Sequence, residues 1–426
     1  MSPVSRGRKP KKPKKSQRRK RPAPSPGSRR VNAAEPGLSG LSTSPRPRID
    51  AFFGSPDRPE WFAPSQERVL AASRGLLAAR GPRALEQATA ELIGAELHRA
   101  VRAERSGLRF DLWATELTGR AVDRMVAAAG RGSGAWQGPW RLLRGLASIG
   151  SYGLGAFASQ QASEAAKALP RDGLATQPAW LELLPDIEAT GDVRVMQDAY
   201  GTRFAVIAGF CYPGGIDPSV YLFDIDACGT IRLAGAGVFD DVEQAAAAWR
   251  EQAGVGAEGA APVPATAGSL ACLVYCEHAE QILSGREPRA LMDDWFRGPR
   301  RMRDVTDALR GRGVDLPSPR SLYRDIDFVP MAAEFTGWFS ARHGHAPSRD
   351  AVEALAEEWL EGLLPGTEHA VSPHRSQFYR ELISDWRDDP VTDAALALLP
   401  EWVRWNGEQA SVAAHLIERA VSAALA

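Results

Sequence analysis

Asp224 and Asp226 stand two apart at the end of an apolar, partly β-branched stretch, Val220–Asp226. Successive side chains of a strand point to opposite faces, so both carboxylates project from the same side of a sheet. With Asp240 and Asp241 a short way downstream, they compose an oxygen donor set of the kind that holds a divalent cation for phosphoryl chemistry. The same residues also fit a plainer arrangement, a solvated strand face followed by a helix N-cap at Asp240, and strand position alone does not make a site. The plainer arrangement is the preferred reading.

The run from Tyr221 to Thr230 reads Tyr-Leu-Phe-Asp-Ile-Asp-Ala-Cys-Gly-Thr. It resembles in part the first motif of haloacid-dehalogenase-type phosphatases, in which Asp-x-Asp is followed directly by Gly-Thr. The resemblance implies metal-dependent hydrolysis of a phosphorylated substrate centred on Asp224 and Asp226. Here Ala227 and Cys228 intervene, the surrounding strands read as a meander instead of a βαβ unit, and no Lys lies near.

The remaining chemistry-bearing residues are scattered. Cys272 and Cys276 sit four apart on a predicted helix, and Cys211 and Cys228 at predicted strand ends. Zinc sites place cysteines closer together in loops with four converging ligands, so these four read as buried thiols that behave as small hydrophobes. Four cysteines in a chain this long are no disulfide framework. His343 and His345 form a compact pair before Pro347, and His369 and His374 are near neighbours. Spacing assembles no nucleophilic triad from them, because triads converge in space. Gly150, Gly153 and Gly155 follow no strand and fail the context of a phosphate loop. The pattern calls for no metal and no cofactor.

A helix-turn-helix is conceivable between Met302–Leu309 and Ser318–Ile326. The second segment starts with Ser318-Pro319, exposes Arg320 and Arg324, and repeats apolar residues at Leu322 and Ile326. Such a helix would present its N-terminal residues to base edges in a major groove. Arg300, Arg301 and Arg303 upstream add charge, while the connection from Arg310 to Pro317 is longer than the usual three or four residues.

The densest feature is the N-terminus. Arg6, Arg8, Lys9, Lys11, Lys12, Lys14, Lys15, Arg18, Arg19, Lys20 and Arg21 are eleven cations in sixteen positions, interrupted by no acid. Residues 1–50 hold fifteen Lys and Arg against Glu35 and Asp50, a net of +13. The whole chain has 52 residues of each sign, so residues 51–426 carry 37 basic and 50 acidic residues and a net of −13. The overall neutrality hides two oppositely charged parts. A block this basic is the electrostatic footprint of phosphate binding, and its lack of aromatics excludes base stacking and points to weak sequence preference. An acidic protein surface, including this chain's own body, is the other class of partner expected. The function is therefore read as non-enzymatic interaction, with nucleic acid, DNA or RNA, as the partner and the metal-dependent hydrolase as the alternative.

These features must be carried by a scaffold, and the patterning specifies one. Residues 1–50 are poor in aliphatics and rich in Pro, Ser and Gly, too apolar-poor to offset the entropy of ordering, and read as a disordered arm. Residues 51–188 are helical, with Leu85, Leu92, Ile93, Leu97 and Val101 at helical spacing after Pro82, and Leu112, Trp113, Leu117, Val122, Met125 and Val126 on one side of the next helix. Residues 189–252 read as four strands, Val193–Ala199, Arg203–Tyr212, Val220–Asp226 and Thr230–Ala234, with connections short enough to require antiparallel pairing, then a helix from Val242. Residues 253–268 are a Gly/Ala/Pro linker. Residues 269–426 read as a helical bundle, with helices over 269–284, 290–310, 319–326, 331–342, 348–363, 373–387, 391–405 and 408–425. Its core includes Trp295, Trp338, Trp359, Trp386, Trp402 and Trp405. The expected class is α+β, mostly helical, with a small antiparallel β-meander in the middle and a C-terminal helical bundle. A hydrophobic content of 44% is ample for a core. No segment has the ~20 apolar residues that span a bilayer. Gly145–Ser163 comes nearest but is rich in Gly, Ser and Gln, and no apolar leader follows the charged N-terminus, so the expected compartment is the cytoplasm.

Overall fold

The computed structural model describes residues 29–30, 58–103, 108–279, 282–283, 285–319, 327–361, 363–386 and 391–426. The eleven cations from Arg6 to Arg21 lie outside them, as do Arg320 and Arg324 with the rest of 320–326, the greater part of the recognition helix expected over Ser318–Ile326. The fold is α+β, with a five-stranded antiparallel sheet between helical regions. Among the described residues no helix is long and apolar enough to cross a membrane.

The N-terminal helices are α1 (Phe62–Ala72), α2 (Pro82–Ala103), α3 (Phe110–Gly130), α4 (Gln137–Ile149), α5 (Tyr152–Ala166) and the short α6 (Arg171–Ala175). Pro82 opens α2 at a position whose N–H has no intrahelical partner to lose. Leu85, Ile93, Leu97 and Val101 are buried as their spacing predicts. On α3 the buried face is turned from the predicted one. Trp113, Leu117 and Met125 are inside, joined by Ala114, Ala121 and Ala128, while Val126 is 40% exposed. Alanines let neighbouring helices approach closely, and that proximity outweighs the greater apolarity of Val126. Gly138–Ile149 of α4 is buried throughout, so α4 is the central helix of this layer.

The sheet consists of β1 (Glu188–Gln197), β2 (Arg203–Tyr212), β3 (Ile216–Asp226), β4 (Arg232–Phe239) and β5 (Val263–Pro264), in the order β4-β3-β2-β1-β5. The meander is as the connections predict. The linker expected over 253–268 supplies the edge strand β5, whose Val263 pairs with Val195. β4 reaches to Phe239, past the predicted end at Ala234, through Gly235-Ala-Gly237. Glycines read as turn residues, but at Gly235 a side chain would meet the Gln252 amide, so closeness to the covering helix excludes one. That helix, α7 (Val242–Ala253), starts at Val242 as expected, but the cap is one residue further on: Asp241, not Asp240, accepts from the Gln244 N–H as N-cap.

Both sheet faces are covered. Met196, Ala205, Ile207 and Leu222 pack against Ala245, Ala246 and Trp249 of α7. On the other face Phe204, Val206, Phe210, Tyr221, Phe223 and Ile225 pack against α8 (Ala271–His278) and α10 (Arg297–Gly311). Between these two lies α9 (Arg289–Asp293). The single helix expected over 290–310 is broken here because Pro299 has no N–H to donate and would clash with the carbonyl of Trp295 in a continuous helix. Pro299 instead occupies the first turn of α10. Trp295, at the break, packs on Phe110 in the N-terminal core and not in the C-terminal bundle. The bundle core is formed by α11 (Val329–His343), α12 (Arg349–Leu360), α13 (Pro373–Ser384), α14 (Thr392–Gln409) and α15 (Ala414–Leu425), with Trp359, Trp402 and Trp405 buried inside and Trp338 and Trp386 at its margin.

Two arginines of α10 are interior. Arg301 is 1% exposed and donates to Glu86 of α2 at 2.7 Å and to Asp304 at 2.8 Å, with Ser148 of α4 alongside Glu86. Arg297 donates to Asp294 at 2.6 Å, and Asp294 also accepts from the Tyr221 hydroxyl at 2.7 Å. Removing one partner of such a pair strands a buried charge. Arg301→Ala is therefore expected to lower the unfolding free energy by about 3–5 kcal/mol, with Glu86→Gln/Arg301→Met recovering part of that loss. Urea unfolding of the single and double variants checks this, and strictly additive effects would show that the two groups are not coupled.

Candidate functional site

A cleft of about 440 Å3 opens where the ends of β2, β3 and β4 meet the bundle. From the sheet it is lined by Asp198, Tyr200, Thr202, Arg203, Asp226, Cys228 and Arg232, and from the bundle by Ser372, Pro373, His374 and Arg419. Two turns build the sheet side. In the β1–β2 turn Gly201 takes a positive φ of 75°, and Asp198 Oδ1 accepts from the Thr202 N–H at 2.8 Å and the Arg203 N–H at 3.0 Å. In the β3–β4 turn Asp226 Oδ1 accepts from the Cys228 N–H at 2.9 Å. The bundle side is the start of α13, where Ser372 accepts from the Arg375 N–H at 3.1 Å and Pro373 supplies the pre-set first residue. The two sides interlock. The Val371 N–H donates to the Tyr200 carbonyl at 3.2 Å, and a side chain at Gly229 would run into the Phe378 ring.

Asp224 and Asp226 share a sheet face, as alternation predicts, but their surroundings differ. Asp224 is fully buried. Arg203 donates to it through Nε at 2.8 Å and Nη2 at 2.5 Å, and Trp249 Nε1 donates at 3.0 Å. Burial lifts its carboxyl above the ordinary range, partly countered by Arg203. Its oxygens are committed to the interior between β2, β3 and α7. Asp226, one pleat further, reaches the cleft. Arg232 donates to its Oδ2 at 2.8 and 3.1 Å, and His374 Nδ1 stands 3.4 Å from the same oxygen. Burial would raise its carboxyl, but Arg232 and His374 outweigh that and hold it below the ordinary range. Cys228 Sγ lies 3.3 Å from Ser372 Oγ. Burial, reinforced by Asp226, pushes this thiol well above its usual range, so Cys228 is no ready thiolate nucleophile.

The other candidates are dispersed. Asp240 pairs with Arg83 at 2.7 Å, and Asp241 caps α7. Cys272 and Cys276 are buried on α8 in the sheet core, and burial pushes the Cys272 thiol up to about 12. Cys211 is half-buried on β2. His343 stacks on Phe339 at the end of α11 with its ring 6.3 Å from that of His345, and His369 bonds Asn406 at 2.9 Å. The upstream arginines of the conceivable helix-turn-helix are spent within α10: Arg300 on Asp304 at 3.0 Å, Arg301 in the interior, and Arg303 beside Asp307 at 3.8 Å. Gly150 breaks the chain between α4 and α5. His374 is the one histidine of the sequence candidates that the fold brings to Asp226 and Cys228.

Comparison of the chain with protein-family models, with curated proteins and with solved structures gives no significant match.

Burial lifts the Asp198 carboxyl to about 6, against the pull of the Arg203 and Thr202 N–H groups. A carboxyl with a raised folded value keeps its proton in the native state after the unfolded chain has lost it. Native stability is therefore eroded as pH rises between about 4 and about 6, and the erosion is complete above that window. Asp198→Asn retains an acceptor for both N–H groups and removes the titration. Its stability margin over the wild type is expected to grow across that window and then level off. Thermal unfolding of both proteins in a pH series measures it, and a margin independent of pH would show that Asp198 titrates normally.

Proposed function

We propose that the protein is a non-enzymatic interaction protein whose N-terminal arm holds it on nucleic acid without sequence specificity. The observation that carries this reading is the charge division, +13 over residues 1–50 against −13 over the remainder, with eleven cations concentrated between Arg6 and Arg21. Neutralising phosphates with so many cations releases condensed counterions, which favours tight, salt-sensitive binding to any polyanion. The acidic body repels the same polymer and keeps the contact confined to the arm. The commitment of Arg300, Arg301 and Arg303 to acids within α10 supports assigning the contact to the arm.

Filter binding of the full chain and of residues 51–426 to mixed-sequence DNA and RNA tests the reading. The full chain is expected to bind both polymers, with affinity falling by roughly 10³-fold between about 50 and 200 mM salt, and the truncated chain to lose that binding. Equal affinity of the two proteins at low salt ends the proposal.

A second reading, metal-dependent hydrolysis of a phosphorylated substrate, is favoured by one observation. Asp226 faces a cleft also lined by Arg203, Arg232 and Arg419, and guanidinium groups match phosphate geometry. In this reading Asp226 is the available carboxylate, since Asp224 is held by Arg203 and Trp249. Phosphate release from a generic phosphomonoester with Mg²⁺, Mn²⁺ or Zn²⁺ supplied is expected to vanish in Asp226→Asn. Absence of turnover with all three metals sinks it.

A further inference from the structure

We infer that Asp226, Cys228 and His374 form a zinc site at the floor of the cleft, independent of the arm and of whether the cleft turns over a substrate. The donors are a carboxylate oxygen, a sulfur and an imidazole nitrogen, all lying within 4.8 Å of one another. They come from the end of β3, the β3–β4 turn and the first turn of α13. Among the described residues no other group of three His, Cys, Asp or Glu side chains converges in this way.

The chemistry of the donors selects the metal. Sulfur and imidazole nitrogen favour a borderline-soft cation, whereas Mg²⁺ and Ca²⁺ require oxygens. Zinc bonds of about 2.0–2.3 Å in tetrahedral array place neighbouring donors roughly 3.3–3.8 Å apart. His374 Nδ1 and Asp226 Oδ2 are already 3.4 Å apart. The sulfur has at most about 1 Å to close, within reach of a side-chain rotation. On binding, the Cys228 thiol gives its proton to solvent and its sulfur bonds the metal.

The surrounding contacts have the arrangement that orients metal ligands. Asp226 Oδ1 is held by the Cys228 N–H, which leaves Oδ2 for the metal. Ser372 Oγ accepts from the Arg375 N–H, so its own proton is free to point at the sulfur 3.3 Å away. Three protein ligands leave a fourth position facing the cleft, for water or an anionic ligand. Arg232 is the competitor, since it donates to Oδ2. Its side chain is 41% exposed and can turn into solvent when the metal enters.

The test uses the full chain, stripped with chelator and titrated with Zn²⁺ and with Co²⁺ as an optical probe. One ion per chain is expected, with the thiolate-to-cobalt charge-transfer band and the intense visible bands of a tetrahedral ion. Cys228→Ser and His374→Ala should each weaken binding by at least ~10–100-fold, the scale found for groups that support metal ligands. His374 is 55% exposed, so its replacement leaves the fold intact. Cys272→Ala should leave the band unchanged. Arg232→Met should tighten binding by freeing Oδ2. Absence of stoichiometric metal, or a charge-transfer band that survives in both Cys228→Ser and His374→Ala, overturns the site. A failure of Arg232→Met to tighten binding overturns Asp226 Oδ2 as the third ligand.

Discussion

Two positive charges buried on α10 are the constraint from which the rest of the architecture follows. Removing a guanidinium from water costs several kcal/mol unless its donors find acceptors in good geometry. Arg301 finds Glu86 on α2 and Asp304 on its own helix, and Arg297 finds Asp294, which is itself bonded to Tyr221 on the sheet. Apolar packing tolerates sliding, but these bonds do not, so they set where α10 lies along both α2 and β3. The N-terminal helices, the sheet and the connecting helices are thereby held in one register.

The strand ends inherit that register, and the cleft is made of strand ends. Asp224 is locked by Arg203 and Trp249, which fixes the side of β3 on which Asp226 emerges. The bundle brings Ser372 and His374 over that point because its first α13 turn is pinned to the β1–β2 turn through Val371 and Tyr200. A large part of the candidate site is therefore backbone geometry, imposed by turns whose acceptors are Asp198 and Asp226. The inferred metal position uses side chains that this geometry already presents.

Much of the scaffold was legible in the residues. The meander was readable because its strands alternate and its turns contain Gly201, Gly214 and Gly229. The C-terminal bundle was readable from the Trp residues on its predicted helices, all of which except Trp295 pack in it or at its margin. Two kinds of feature were not. The first is burial decided by neighbours: Arg301 read as one of the charges beside a recognition helix but is interior, and the fourth strand read as ending at Ala234 but continues through Gly235, where the covering helix packs close. The second is convergence. Cys228 and Ser372 are 144 residues apart, and nothing local marks them as partners. The spacing Asp226-x-Cys228 was visible, yet it registered only as an interruption of another motif. Asp224 illustrates the opposite case: a carboxylate on the expected face whose role was decided by Arg203 and Trp249.

The interlock between the β3–β4 turn and α13 gives the cleft a mechanical character. Its walls belong to two cores, a sheet on one side and a bundle on the other, which meet there through the Val371–Tyr200 backbone hydrogen bond, the contacts of Cys228 with Ser372 and of Asp226 with His374, and the ring of Phe378 against Gly229. An occupant that bonds Asp226 and His374 together therefore acts as a clasp between two separately packed bodies. Its binding free energy is added to the cohesion of the whole chain, because separating the bodies destroys the pocket that holds it.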